Sequence, residues 1–285
     1  MGYISLLLIV IFCSLQNVCA KEYSKKTKEG ELMFASITVL FAAIVFAISF
    51  LAEGGKFAFS GKTLNYSILF AISYGGATVG SIYAIKYGPL SLTSLLTSSS
   101  LIVPTFYGIA VLGEETGAFL YIGLILLLAA LVLVNLEGKN DKKITLKWVL
   151  FIIMAFIGNG VCSIVQKMQQ INQNGMCKNE FMIVALLIVC VATLILSLIL
   201  EKNPIKSIKK GIVPGGARGV ANGIVNLLVI SLALTMPASL MFPVISGGSI
   251  TLTSIMALTV YREKLSVNQI LGLILGIASV IFLNI

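Results

Sequence analysis

Ten stretches of about 20 apolar residues follow one another almost without interruption, and nothing else in the sequence constrains the fold as strongly. They cover roughly residues 2–20, 32–52, 64–86, 90–112, 117–136, 148–169, 180–200, 212–235, 238–260 and 266–285. A helix rising 1.5 Å per residue needs about that many residues to cross a hydrocarbon core. Lipid offers the backbone no hydrogen-bond partners, so each stretch is expected to be helical. The connections run to about a dozen residues at most and leave no room for a soluble domain. With 58% hydrophobic and 11% charged residues, a soluble surface could not be covered. The net charge of +9 is therefore read as loop lysines facing anionic lipid, with no nucleic-acid partner. There is no histidine, and the five cysteines lack metal-ligand spacing. No metal or cofactor is expected, and an enzyme would lack both a histidine base and acids at mid-span.

The first stretch resembles a secretory signal, ending in Val18-Cys19-Ala20, but it has no basic segment ahead of it. It also has an internal counterpart: Phe12-Cys13-Ser14-Leu15 aligns with Val161-Cys162-Ser163-Ile164 at a shift of 149 residues. It is taken as a helix of the folded protein. The same shift superposes residues 84–136 on 233–285 without a gap. Ser100 meets Ser249, Glu114 meets Glu263, and Gly123-Leu-Ile-Leu126 meets Gly272-Leu-Ile-Leu275. Five helices per unit is an odd number, so the second unit must enter the membrane inverted, a plan common among alternating-access transporters. The expected organisation is a first repeat over residues 1–137, a basic linker over 138–147 and a second repeat over 148–285.

Loop charge tests the same topology. Connections after odd-numbered helices carry 15 Lys and Arg, those after even-numbered helices carry 4, and Arg218 lies inside a span. The positive-inside rule then places both termini outside the cell.

The segments Ala84-Ile-Lys-Tyr-Gly-Pro-Leu-Ser91, Leu112-Gly-Glu114 and Gly123-Leu-Ile-Leu126, with their echoes in the second half, resemble the EamA-like branch of the drug/metabolite transporter superfamily. The resemblance implies a ten-helix, all-α membrane protein with a central cavity lined by helices 1, 3, 4, 6, 8 and 9. Helices 5 and 10 would lie at the periphery, where a homodimer could form. It further implies multi-pass residence in a bacterial cytoplasmic membrane and outward movement of small metabolites or drugs. Its members are commonly drawn with cytoplasmic termini, the opposite of the charge count here.

Charged and amide side chains inside spans are the candidates for substrate contact, because lipid penalises them heavily. Arg218 stands beside a glycine ladder, Gly215, Gly219 and Gly223, whose spacing of four permits close helix approach. It either projects into the cavity to bind a carboxylate or phosphate, or snorkels to the surface. Lys86 and Lys167, near helix ends, read as snorkelling. Asn222 and Asn226 follow Arg218 at helical spacing, Tyr74 and Thr78 share a face of helix 3, and helix 1 offers Gln16 and Asn17. Gln166 in helix 6, Ser98 in helix 4 and Ser246 in helix 9 complete the candidate lining. Glu114, Glu263, Gly123 and Gly272 read as structural marks of the repeat, the acids tying loops or capping helices 5 and 10. The function expected is secondary transport of a small polar metabolite such as an amino acid or another carboxylate. A flippase for a lipid-linked substrate and a multidrug efflux transporter are the alternatives. No Asp or Glu falls at mid-span, which weighs against proton-for-cationic-drug exchange through a buried acid.

Overall fold

A computed structural model describes residues 2–26, 29–55, 58, 60–87, 90–135, 145–259 and 266–283. Among these the chain is helical, with eleven elements: α1 (Gly2–Lys26), α2 (Glu31–Ala52), α3 (Gly61–Tyr87), α4 (Leu90–Ser99), α5 (Ile102–Ala110), α6 (Ala118–Asn135), α7 (Leu146–Asn172), α8 (Lys178–Leu200), α9 (Pro204–Leu232), α10 (Ala238–Thr259) and α11 (Val267–Phe282). Seven of them are long and apolar enough to cross a membrane, and the fourth stretch, α6 and α11 are shorter apolar helices. Side chains such as Ile72 on α3, Ile125 on α6, Leu198 on α8 and Ile274 on α11 are exposed. An apolar exterior of this kind suits lipid as solvent. The chain is a multi-pass membrane protein.

The helix ends follow local chemistry. Thr145 caps α7 by accepting a hydrogen bond from Trp148 N at 3.2 Å, and Ser266 forms a capping box with Gln269 ahead of α11. The fourth stretch, expected as one helix over 90–112, is two. Pro104 supplies no N–H to the Ser100 carbonyl and its ring crowds that carbonyl, so the chain turns at Ser100-Leu101 between α4 and α5.

The eighth stretch also differs. α9 begins at Pro204 rather than near 212, because a proline suits the first helical turn and the surface accommodates Lys206, Lys209 and Lys210. Arg218 is consequently central, 14 residues from each end of the helix, or about 21 Å along the axis. The basic surface segment of α9 ends at Lys210, eight residues or about 12 Å along the axis from Arg218, but the guanidinium lies over the Phe34 ring within the bundle and does not extend to that surface.

The glycine ladder packs against α2. A Cβ on Gly219 would collide with the Thr38 carbonyl oxygen, one on Gly223 would lie 2.7 Å from Val45 Cβ, and one on Gly215 3.0 Å from Ile37. Because the obstacle at Gly219 is backbone, it cannot rotate aside. Gly219→Ala is expected to destabilise the protein by about 1–3 kcal/mol or more, read as a fall in the thermal midpoint in detergent. An unchanged midpoint would show that α2 and α9 are not packed this closely.

Gly123 and Gly276 also serve contacts within the chain. Gly123 faces Leu283 and Gly276 faces Thr251, where α6 packs on α11 and α11 on α10. Gly272 is buried.

Candidate functional site

A cavity of about 590 Å³ opens at the centre of the bundle. It is built from helical stripes, each recurring at three or four residues. On α7 the stripe is Asn159, Cys162, Ser163 and Gln166. On α9 it is Arg218, Asn222, Asn226 and Val229. On α10 it is Phe242, Ser246, Ser249 and Thr253. α1 contributes Cys13, Gln16 and Asn17, α3 contributes Phe70 and Tyr74, and the α4–α5 segment contributes Thr97, Ser98, Ser100 and Leu101.

Of the residues expected at such a site, Arg218, Asn222, Asn226, Tyr74, Gln16, Asn17, Ser98, Ser246 and Gln166 all line this cavity. Thr78 does not. Its hydroxyl donates to the Tyr74 carbonyl at 2.8 Å, the usual way a threonine within a helix satisfies itself. Ser249, the repeat partner of Ser100, also lines the cavity, and so do Asn159 and Thr253, which sequence reasoning did not single out although their places in the stripes are visible as helical periodicity.

An amide ladder joins four spans. Gln166 Nε2 donates to Asn226 Oδ1 at 2.8 Å, and Asn226 Nδ2 donates to the Asn222 carbonyl at 2.9 Å. Asn222 Nδ2 donates to Gln16 Oε1 at 3.0 Å, and the Tyr74 hydroxyl donates to Asn222 Oδ1 at 3.3 Å. Each amide thus has a partner, as low-dielectric surroundings demand. On the opposite wall Asn17 Nδ2 donates to Thr253 Oγ1 at 3.2 Å, tying α1 to α10.

Arg218 is treated differently. Its guanidinium lies over the Phe34 ring, 5.5 Å from the centroid, and Tyr23 stacks on the same ring at 4.1 Å. The Phe34 face provides a cation–π contact. Yet the Arg218 Nε atom is buried with no hydrogen-bond partner among the described residues. Arg218 also lines the cavity, where a guanidinium can pair with a carboxylate or phosphate through its planar fork.

One end of the bundle is tied by Glu114, which lies in the connection between α5 and α6. Its carboxylate accepts from Ala238 N at 2.8 Å and Ser239 N at 2.7 Å, capping the first turn of α10. Of the two roles expected of Glu114, tying loops or capping the fifth span, it takes the first: it joins the α5–α6 connection to the α10 N-terminus, which offers two free N–H groups at the positive end of a helix dipole. Lys167, expected to snorkel, is buried instead. It lies 3.6 Å from Glu114 Oε1 and donates to the Met236 carbonyl at 2.7 Å, because at this end a protein carboxylate and carbonyl substitute for water. Burial acts to raise the Glu114 pKa, but the backbone N–H groups of Ser239 and Ala238, with Lys167 alongside, hold it below the usual carboxylate value. A depressed folded pKa means the contribution is present at neutral pH and lost as pH falls below the ordinary carboxylate range. Glu263, its expected counterpart, lies outside the described residues.

Residues 1–136 match a family model described as the EamA-like transporter family. No curated protein matches the sequence. Among 28 matching solved chains, one crystal structure agrees with a TM-score of 0.81 over 99% of this chain and 95% of its own, at 11% identity. At that identity the likeness speaks for the fold alone.

Proposed function

We propose, on the match of residues 1–136 to a model of the EamA-like transporter family, that this chain is a secondary transporter of the drug/metabolite transporter superfamily that exports a small carboxylate-bearing metabolite. The observation that carries this reading is Arg218, the one charged side chain lining the cavity among the described residues. A fixed guanidinium among amides and hydroxyls binds a carboxylate and repels a cationic drug.

Alternating access between two inverted repeats is the proposed mechanism, with units at residues 1–137 and 148–285 making ten membrane spans. The helix packing supports it. Exchanging each span for its partner five places on turns the α1–α9 contact into α7–α3, α1–α10 into α7–α4/α5, and α10–α11 into α4–α6, and all of these are present. Cavity residues pair at the same shift of 149: Cys13 with Cys162, Asn17 with Gln166, Thr97 with Ser246, and Ser100 with Ser249. The Glu114–Lys167 tie closes the end whose connections are poor in Lys and Arg. α10 packs on α5 near this tie, while α4 packs on α6 and α7, so access lies towards the basic end. With that end in the cytoplasm of a bacterial cell membrane, as the positive-inside rule favours, both termini are outside and the cavity loads from within.

A thermal-stability screen of purified protein tests the reading. Amino acids, other organic acids, sugars, nucleosides and cationic drugs are compared, since a ligand bound only to the folded state must raise the midpoint. Stabilisation by carboxylates is expected. Stabilisation by cationic drugs alone would replace this reading with multidrug efflux.

A further inference from the structure

The chemistry of the cavity changes along its axis. α9 runs towards the Glu114 end and α10 away from it, so residue order on each gives depth. Going towards the tied end, α9 presents Arg218 first and Val225 and Val229 last. Going away from that end, α10 presents Phe242 and Ile245 first and Thr253 and Ser254 last. Leu101, Val225, Val229, Phe242 and Ile245 belong to a single apolar cluster. They form the apolar part of the floor above the Glu114–Lys167 tie, beside the amides of Gln166 and Asn226, which bond to each other at that depth. The amide ladder descends one wall with its hydrogen bonds satisfied internally, so it does not require a polar occupant at the floor. The far end holds Arg218, Asn17 and Thr253. Among the described lining residues there is no Asp or Glu.

Resting on the carboxylate reading above, we infer that the occupant is a monocarboxylate with an apolar body and no ammonium group. Its carboxylate meets Arg218, and its body lies on the floor of Leu101, Val225 and Phe242. A zwitterionic amino acid would bring an ammonium into a site with no opposing carboxylate, where its lost hydration is not recovered. A dicarboxylate would place its second charge on the apolar floor. The arrangement therefore sets specificity by what each end lacks, as well as by what it offers.

The test compares direct binding to wild-type protein across three sets of ligands. They are straight-chain monocarboxylates of increasing length, amino acids matched with their des-amino analogues (phenylalanine with hydrocinnamate, leucine with isocaproate), and succinate. Parallel titration of Arg218→Gln subtracts partitioning into detergent. Affinity is expected to rise about fourfold per added methylene until the floor is covered. Each des-amino acid is expected to bind at least about tenfold tighter than its amino acid, the loss of one uncompensated polar group being about 1.4 kcal/mol or more. Val225→Thr, which puts a hydroxyl on the floor, is expected to flatten the length dependence, read against the shortest carboxylate on the same variant. Amino acids or succinate that bind as tightly as the des-amino acids, with binding lost in Arg218→Gln, would overturn this inference and leave the carboxylate reading standing. Failure of every carboxylate to bind would overturn both.

Discussion

Arg218→Gln is expected to remove most of the carboxylate-induced rise in thermal midpoint while leaving the ligand-free protein at least as stable as the wild type. The two halves of that result have separate causes. A charge-assisted hydrogen bond contributes about 1.5–3 kcal/mol, so its loss weakens binding by roughly 10- to 150-fold. At a concentration of about 100 times the wild-type Kd, a ligand stabilises by about 2.7 kcal/mol. After a 100-fold loss the same concentration gives only roughly 0.4 kcal/mol. In the ligand-free state the guanidinium is held by the Phe34 ring and its Nε has no hydrogen-bond partner among the described residues. Replacing a buried, incompletely satisfied charge with a neutral amide relieves a cost. Arg218→Lys keeps the charge without the planar fork and should fall between the two. A fall in the ligand-free midpoint, with the ligand-induced rise intact, would make Arg218 a structural residue of the α2–α9 contact.

The second large effect is expected at the tied end. Glu114→Ala leaves Lys167, whose side chain is only 8% exposed, with the Met236 carbonyl but no counter-charge, and it uncaps α10 as well. Stranding a buried charge in this way costs about 3–5 kcal/mol, with about 1 kcal/mol more for the lost cap. Lys167→Met should be milder, because the carboxylate keeps Ala238 N and Ser239 N. Glu114→Ala combined with Lys167→Met should be more stable than Glu114→Ala alone, a non-additivity that identifies a coupled pair. If the tie also closes the cavity, Cys13, which lines it, should become reactive towards an impermeant maleimide applied at the Glu114 end. That assay uses Cys177→Ser, because Cys177 lies in a connection at the same end. A destabilised Glu114→Ala protein with Cys13 still shielded would reduce Glu114 to a helix cap.

Position along the chain foretold these residues unevenly. Asn222 and Asn226 were legible because two amides at helical spacing in an apolar run need a polar surface to face. Thr78 had the same spacing from Tyr74 and turned instead to its own helix, since a hydroxyl has a carbonyl within reach four residues back and an amide is less easily satisfied there. Lys167 looked like an end-of-helix lysine because its partners, Glu114 and Met236, are 53 and 69 residues away in sequence.

By itself the sequence determined that the chain is a series of apolar, lipid-facing helices, seven of which among the described residues are long enough to cross a membrane. Hydrocarbon thickness and the demand for internal backbone hydrogen bonding act on each segment locally, so hydropathy alone reads them out. The glycine ladder was equally local, since only a residue without a Cβ tolerates the approach of α2 at Gly219. Tertiary structure alone decided that Arg218 lies over Phe34 with a donor unused, that Glu114 caps α10, and that the cavity has an apolar end and a cationic one. Each of these depends on which helix faces which, and that is set by packing between segments far apart in the chain.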